Sequence, residues 1–342
     1  MKWNIKVYEE PGILIADREV EEEAIPMAKT EELLKPGLDE GRKGLAVITK
    51  VDSEEGPVLC PESPAVDMAF EELAEKTMEL LQNQEEFEAV KLVDGALKGE
   101  HGNDPEVQLV AASIFEHIRF YDFAAVLLRQ VRDAFEEEVR KAAMQVRLAR
   151  ALQRSGKKKD VSDMLEDALE HPELPPILKA EGMLLKAVSK GPEEGIDILD
   201  DMLDYAEEHL GDHRLVADAL ELNADFLAGS DPKKAEKFYH AAGKMLVKLQ
   251  DPYFFSLNER FVLHFLKQKA YKEAIDLSHE MFELLKQAGG PPIASVPYFV
   301  MAGKAHQAMG DSERSEFATK TARDIHPVEA KRIEEMVETV LA

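Results

Sequence analysis

Residues 140–172 read RKAAMQVRLARALQRSGKKKDVSDMLEDALEHP. Leu148, Ala149 and Leu152 lie on one side of a first helix. Gly156 stands where the chain must turn, and Leu165, Ala168 and Leu169 lie on one side of a second helix that Pro172 closes. The stretch predicts two antiparallel helices joined by a tight reversal. It also carries an unusual charge. Arg140, Lys141, Arg147, Arg150, Arg154, Lys157, Lys158 and Lys159 crowd into residues 140–159 with no acid among them, whereas the chain as a whole has 68 Asp and Glu in 342 residues.

Working outward, the pattern repeats. From Pro64 the spacing is helical, with a start expected at Pro64–Asp67 and another at Asp104-Pro105, a capping residue before a first-turn proline. Breaks rich in Gly, Asp and Pro then recur, among them Tyr121-Asp122, Gly211-Asp212, Gly289–Pro292 and Gly310-Asp311. Small or apolar residues early in each second helix, Ala89, Val126, Val161, Ile196, Ala235, Ala274 and Ser315, recur every 35 to 41 residues. That period marks a stack of helix pairs.

On these residues the chain resembles the tetratricopeptide repeat family. Phe299, Ala302, Gly303 and His306, then Gly310, Ala322 and Pro327, match one unit. Leu148 to Pro172 match a second, and Phe261, Phe265, Tyr271, Ala274 and Met281 a third. The resemblance spans about 66–327. It implies an all-α, right-handed α-solenoid of about seven helix pairs, although the units at 178–210 and 214–250 fit generic paired helices equally. The tail 328–342 is amphipathic through Ile333, Met336, Val337, Val340 and Leu341. It reads as a capping helix, or as a face for homo-oligomerisation.

Residues 1–65 differ, and the expected domains are 1–65 and 66–342. Short β-like runs occur at Trp3–Tyr8, Ile13–Ile15 and Leu45–Val51. Arg18–Lys35 reads as acidic and helix-forming, and 52–64 as a linker. This segment is an arm, a small β-containing module, or a piece that docks on the rest.

The formal charge of −26 excludes general binding to nucleic acid or anionic membranes, whose phosphates would repel it. One cysteine, Cys60, permits neither an internal disulfide nor a cysteine zinc cluster. With no signal-like start and no membrane-length apolar run, the expected location is the cytoplasm. No phosphate loop, nucleophile elbow or zinc-protease motif appears, so neither catalysis nor a cofactor is expected. Gly37, Gly41 and Gly44 read as turn glycines. His209 and His213 are four apart, but Gly211 ends the helix between them, which argues against a metal pair. His240, His264, His279 and His306 read as packing or surface histidines.

The basic run remains. Arg147, Arg150 and Arg154 share a helix face. The resemblance implies that first helices line a concave groove, where these arginines, Arg119, Lys157 and Lys158 would meet a partner. Guanidinium groups there suit an acidic peptide, a terminal carboxylate or a phosphorylated segment. The alternatives are a solvated face paired with Glu136–Glu138, or docking of the chain's own acidic 19–23 or 52–55 segment. The Asn and Lys pattern with which chaperone-binding members clamp carboxylates is not reproduced. Three functions follow: a non-enzymatic scaffold or adaptor for a protein or peptide, a sensor whose N-terminal arm covers the groove, and an enzyme built on the N-terminal module.

Overall fold

The structure is a computed structural model describing residues 1–9, 13–21, 26–27, 29–30, 32–34, 44–50, 57–60, 63–157 and 161–341. The chain divides into two compact units, 1–189 and 190–342. Among the described residues from 70 onward, fifteen α-helices follow one another along the chain. The expected all-α repeat is what the chain builds, with a small sheet before it.

The first unit opens with strands β1 (Lys2–Glu9), β2 (Ile13–Glu21), β3 (Gly44–Lys50) and β4 (Val58–Cys60). They form one antiparallel sheet in the order β2-β1-β3-β4. Alternation assigns its faces. Trp3, Ile5, Val7, Ala46 and Ile48 pack with Leu34 on one side. Leu45, Val47 and Leu59 point the other way and join the core of the helices. Burial on both faces makes β3 a continuous apolar run. Arg18–Glu21 is strand, not the helix its composition suggests. It lies on an edge strand with Arg18, Glu19 and Glu21 exposed, and charge there discourages pairing with other chains. Residues 58–60 of the expected linker are likewise strand. The composition change at 65 marks the passage from sheet to helix. Gly37, Gly41, residues 52–55, Lys159 and the side chain of Cys60 lie outside the description.

Helices α1 (Phe70–Gln82), α2 (Glu86–Leu97), α3 (Pro105–His117), α4 (Tyr121–Ala134), α5 (Glu138–Arg154), α6 (Val161–Glu170) and α7 (Pro176–Lys190) follow. Asp104 caps α3 as expected, accepting the Glu106 N–H at 2.9 Å. Asp67 does not start α1, whose N-cap is Ala69; its carboxylate accepts the Glu100 N–H at 2.7 Å and ties down the loop after α2. The break expected at Tyr121-Asp122 falls just earlier, since Tyr121 is already helical. Buried alanines, including Ala111, Ala112, Ala124, Ala149, Ala151 and Ala168, let the helices approach closely.

The chain entering α1 crosses α2 at Gly95. The Val66 N–H donates to the Gly95 carbonyl at 2.9 Å. A Cβ on Gly95 would meet the Pro64 carbonyl oxygen at 2.5 Å and Val66 Cγ2 at 3.0 Å. Alanine's helix preference is worth about 1 kcal/mol, but backbone cannot yield as a side-chain tip can. Gly95→Ala should therefore lower stability by about 1–2 kcal/mol in chemical denaturation. A stabilised variant would show that the crossing segment moves aside.

The second unit contains α8 (Pro192–His209), α9 (Arg214–Leu227), α10 (Pro232–Lys248), α11 (Tyr253–Lys267), α12 (Tyr271–Gln287), a 3₁₀ turn (Pro292–Ser295), α13 (Val296–Ala308), α14 (Ser312–Ile325) and α15 (Pro327–Leu341). Gly211 follows the end of α8 with φ of 60°. His213 caps α9, accepting the Leu215 N–H, while His209 packs at a tilt against Tyr205, ring centres 4.3 Å apart. His264 is buried among aromatic rings, and burial lowers its pKa. The tail α15 caps the unit, with Ala330, Ile333 and Val337 fully buried. Of its apolar face, Ile333 and Val337 are covered within the chain, Met336 and Val340 are half-buried and Leu341 is exposed.

Glu259 on α11 is half-buried, and that burial pushes its carboxyl up to about 7 against the opposing pull of Arg332. Its proton is held more tightly in the folded than in the unfolded chain. The associated stability is present below the ordinary carboxylate range and is lost as pH rises through about 7. Glu259→Gln should flatten this dependence, being more stable than wild type by about 1–2 kcal/mol at pH 8 after solvent screening. Parallel melting curves at pH 5 and 8 check this; an unchanged slope would contradict it.

Candidate functional site in the first unit

The basic face of α5 is built across neighbouring helix pairs. A residue on one first helix meets the equivalent turn of the adjacent one about one repeat away in sequence. Arg147 pairs with Glu116 of α3 and donates to the Ser113 hydroxyl at 3.0 Å. Arg150 donates to the same Glu116 carboxylate at 2.9 Å and to Glu181 of α7 at 2.8 Å. Of the expected partners Glu136–Glu138, Glu138 is used, by Lys141 at 2.8 Å, whereas Arg140 reaches Glu106 at 2.6 Å and stacks on Phe135.

Arg147 and Arg150 are therefore engaged inside the fold. The Glu116 side chain is only 11% exposed and that of Glu181 16%. Burial by itself would lower the Arg150 pKa, but Glu181 and Glu116 outweigh it, holding the guanidinium charged and above its ordinary value. Two cations and two carboxylates cancel here. The group acts as a staple across α3, α5 and α7.

Arg119, Arg154 and Lys157 sit differently. Arg154 is exposed, with its guanidinium over the Tyr121 ring and donating to the Tyr121 hydroxyl at 3.1 Å. Lys157 lies 3.2 Å from Asp122, and Lys6 of β1 approaches the same carboxylate at 3.7 Å. Lys6 gets there because it shares the helix-facing side of the sheet with Val47, its pairing partner on β3. Arg119 is exposed two residues before Tyr121, in the turn between α3 and α4, with φ of 67°. Gly156 takes this conformation after α5 without strain, whereas an arginine holds it at a cost of about 1 kcal/mol. Four cations thus surround one turn that offers a single carboxylate, Asp122. Lys158 lies outside the described residues.

The first-helix face of the second unit has the opposite balance. Arg260 meets Glu221 at 2.9 Å and Asp225 at 3.4 Å, and Arg214 meets Asp218 and Asp251 at 2.7 and 2.6 Å. Tyr253 and Tyr239 donate to Glu221 and Asp225. No group of three or more metal-binding side chains occurs among the described residues, and no helix among them is long and apolar enough to cross a membrane.

Sequence reasoning missed Glu116, Glu181, Tyr121, Asp122 and Lys6. All but Lys6 were within reach, since each lies 31 to 35 residues from its basic partner, one repeat away.

No protein-family model and no curated protein matches the chain. Solved structures do. The apo form of RapI aligns at 14% identity over 79% of this chain and 100% of that one, with a TM-score of 0.51. A tetratricopeptide repeat protein from Parabacteroides merdae aligns at 13% identity over 79% and 98%, also at 0.51. BtubC from P. vanneervenii aligns at 16% identity over 66% and 92%, at 0.50. The fold is a tetratricopeptide-like helical repeat.

Removing one partner from a mostly buried ion network leaves the others uncompensated. Glu116→Gln should destabilise by about 2–4 kcal/mol in chemical denaturation, whereas Arg154→Ala should stay within about 0.5 kcal/mol. Equal effects would dissolve the distinction between staple and exposed cluster.

Proposed function

We propose that the protein is a non-catalytic scaffold or adaptor that captures an acidic segment of a protein partner at the 119–122 turn. Arg119, Arg154, Lys157 and Lys158 supply the contacts, and Arg147 and Arg150 keep the helices that carry them in register. The observation behind this reading is the charge count: Arg119 and Arg154 have no carboxylate partner among the described residues, and Lys157 shares Asp122 with Lys6. Guanidinium forks grip carboxylates in a planar, paired geometry that a partner's Asp or Glu can satisfy. The helical-repeat fold supports it too, because such stacks present extended surfaces built for other chains. An intracellular location fits the acidic, single-cysteine composition.

The sensor alternative, in which the N-terminal segment leaves to admit a ligand, would uncover Leu45, Val47 and Leu59 together with the helix residues beneath them. Burying one such side chain is worth about 1.5–3 kcal/mol, so displacement of the whole sheet is disfavoured. We read the sheet as a fixed wall beside the site.

The triple variant Arg119→Glu, Arg154→Glu, Lys157→Glu should fold normally. It should bind a fluorescein-labelled, glutamate-rich peptide at least tenfold more weakly than wild type in fluorescence anisotropy. Wild-type binding should weaken as salt rises. Equal affinity for both proteins, or no wild-type binding, would overturn the assignment.

A further inference from the structure

A second feature lies wholly in the second unit and does not depend on the basic face. Helices α12 and α14 flank α13, leaving a groove of about 520 Å³ above it. That volume is in the range of ligand pockets. Phe282 from α12 and Phe299 from α13 form one wall, their rings 4.9 Å apart. On the other wall Phe317 of α14 is 70% exposed and borders the same groove as Phe282 and Phe299.

The preceding helix pair explains why this space is open. There the equivalent volume, between α10 and α12 over α11, is filled by the chain's own rings. Tyr239 stacks on Phe261 at 5.0 Å, and Phe261 on Phe265 at 4.5 Å. Aligned by the positive-φ residue that follows each helix, Lys269 after α11 corresponds to Gly310 after α13. In that register Phe261 corresponds to Ala302 and Phe265 to His306. The second helices, aligned through Ala235 and Ala274, place Ser278 where Tyr239 stands. Three rings of one groove are thus Ser278, Ala302 and His306 in the next.

Charge narrows what replaces them. In a chain of net charge −26, the side chains lining this groove include His279, His306 and Arg314 and no carboxylate. Asp311 stands beyond the lining and caps α14 by accepting the Arg314 backbone N–H at 3.1 Å. Its carboxylate is 3.7 Å from the His306 ring and 3.6 Å from the Arg314 guanidinium, too far for a hydrogen bond to either side chain. The Arg314 guanidinium and the His306 imidazole therefore keep donors for another acid.

We propose that this groove receives a peptide segment of a partner protein, whose aromatic side chain takes the place of the missing rings while an adjacent carboxylate is held by Arg314 and His306. The aromatic group stacks between Phe299 and Phe317, and the acid takes the side-chain donors of Arg314 and His306 that Asp311 approaches only at 3.6 and 3.7 Å, while Asp311 keeps its capping bond.

The test uses the full chain and a fluorescein-labelled octapeptide with a central Asp-Trp-Asp. Two matched peptides replace Trp by Ser or both Asp by Asn. Wild type should bind the first at least tenfold more tightly than either control. Phe317→Ser and Arg314→Glu alter exposed side chains and should each weaken binding at least fivefold with unchanged melting temperature. His306→Phe restores the ring that the preceding groove carries; it should abolish binding and raise the melting temperature. Equal binding of the three peptides, or variants as tight as wild type, would overturn the proposal. So would a dimer in sedimentation that Phe317→Ser dissolves, which would assign the groove to a second copy of the chain.

Discussion

One carboxylate, Glu116, carries two guanidinium groups, and through Arg150 the same network reaches Glu181. Three successive first helices are tied by charges largely hidden from water. Such a network is unforgiving. Complete, it fixes helix register; with one member gone, an unpaired charge stays buried at a cost of several kcal/mol. Alanines and glycines at the helix contacts set how near the helices come, and the ion pairs set where along their length they meet.

The network also decides which cations are available to a partner. A face that reads as a uniform basic stripe is divided by geometry. At its middle, charge is cancelled internally; at its end, around Tyr121 and Asp122, cations outnumber carboxylates. Arg119 occupies there a left-handed position that Gly156 takes after α5 and that Gln84, Gln250 and Lys269 take at other helix ends.

Much of the fold was legible in the sequence because helix pairs are local. Their apolar spacing, their turn glycines and a cap such as Asp104 act within a few residues. The sheet was harder. Arg18–Glu21 carries helix-forming acids, and only its place at a sheet edge makes it a strand. Asp67 looked like a cap because nothing local shows that its carboxylate is claimed by the Glu100 backbone. The arginines of α5 were legible as a shared face, but their partners lie one repeat away and become visible only when the repeats are aligned. Lys6, brought in by strand register, leaves no such trace. The open groove of the second unit is likewise a comparison between repeats: Ala302 and His306 mean little until set beside Phe261 and Phe265.

The claim that the basic face is divided into a staple and an exposed cluster is tested most directly by NMR of arginine side chains. The guanidinium Nε–H resonances of the ¹⁵N-labelled protein would be followed during titration with a glutamate-rich peptide. The Arg119 and Arg154 signals should move with a common affinity, while those of Arg147 and Arg150 stay in place. Shifts of Arg147 and Arg150 equal to those of Arg154 would contradict the account, because they would mean that the carboxylates of Glu116 and Glu181 yield to an outside partner.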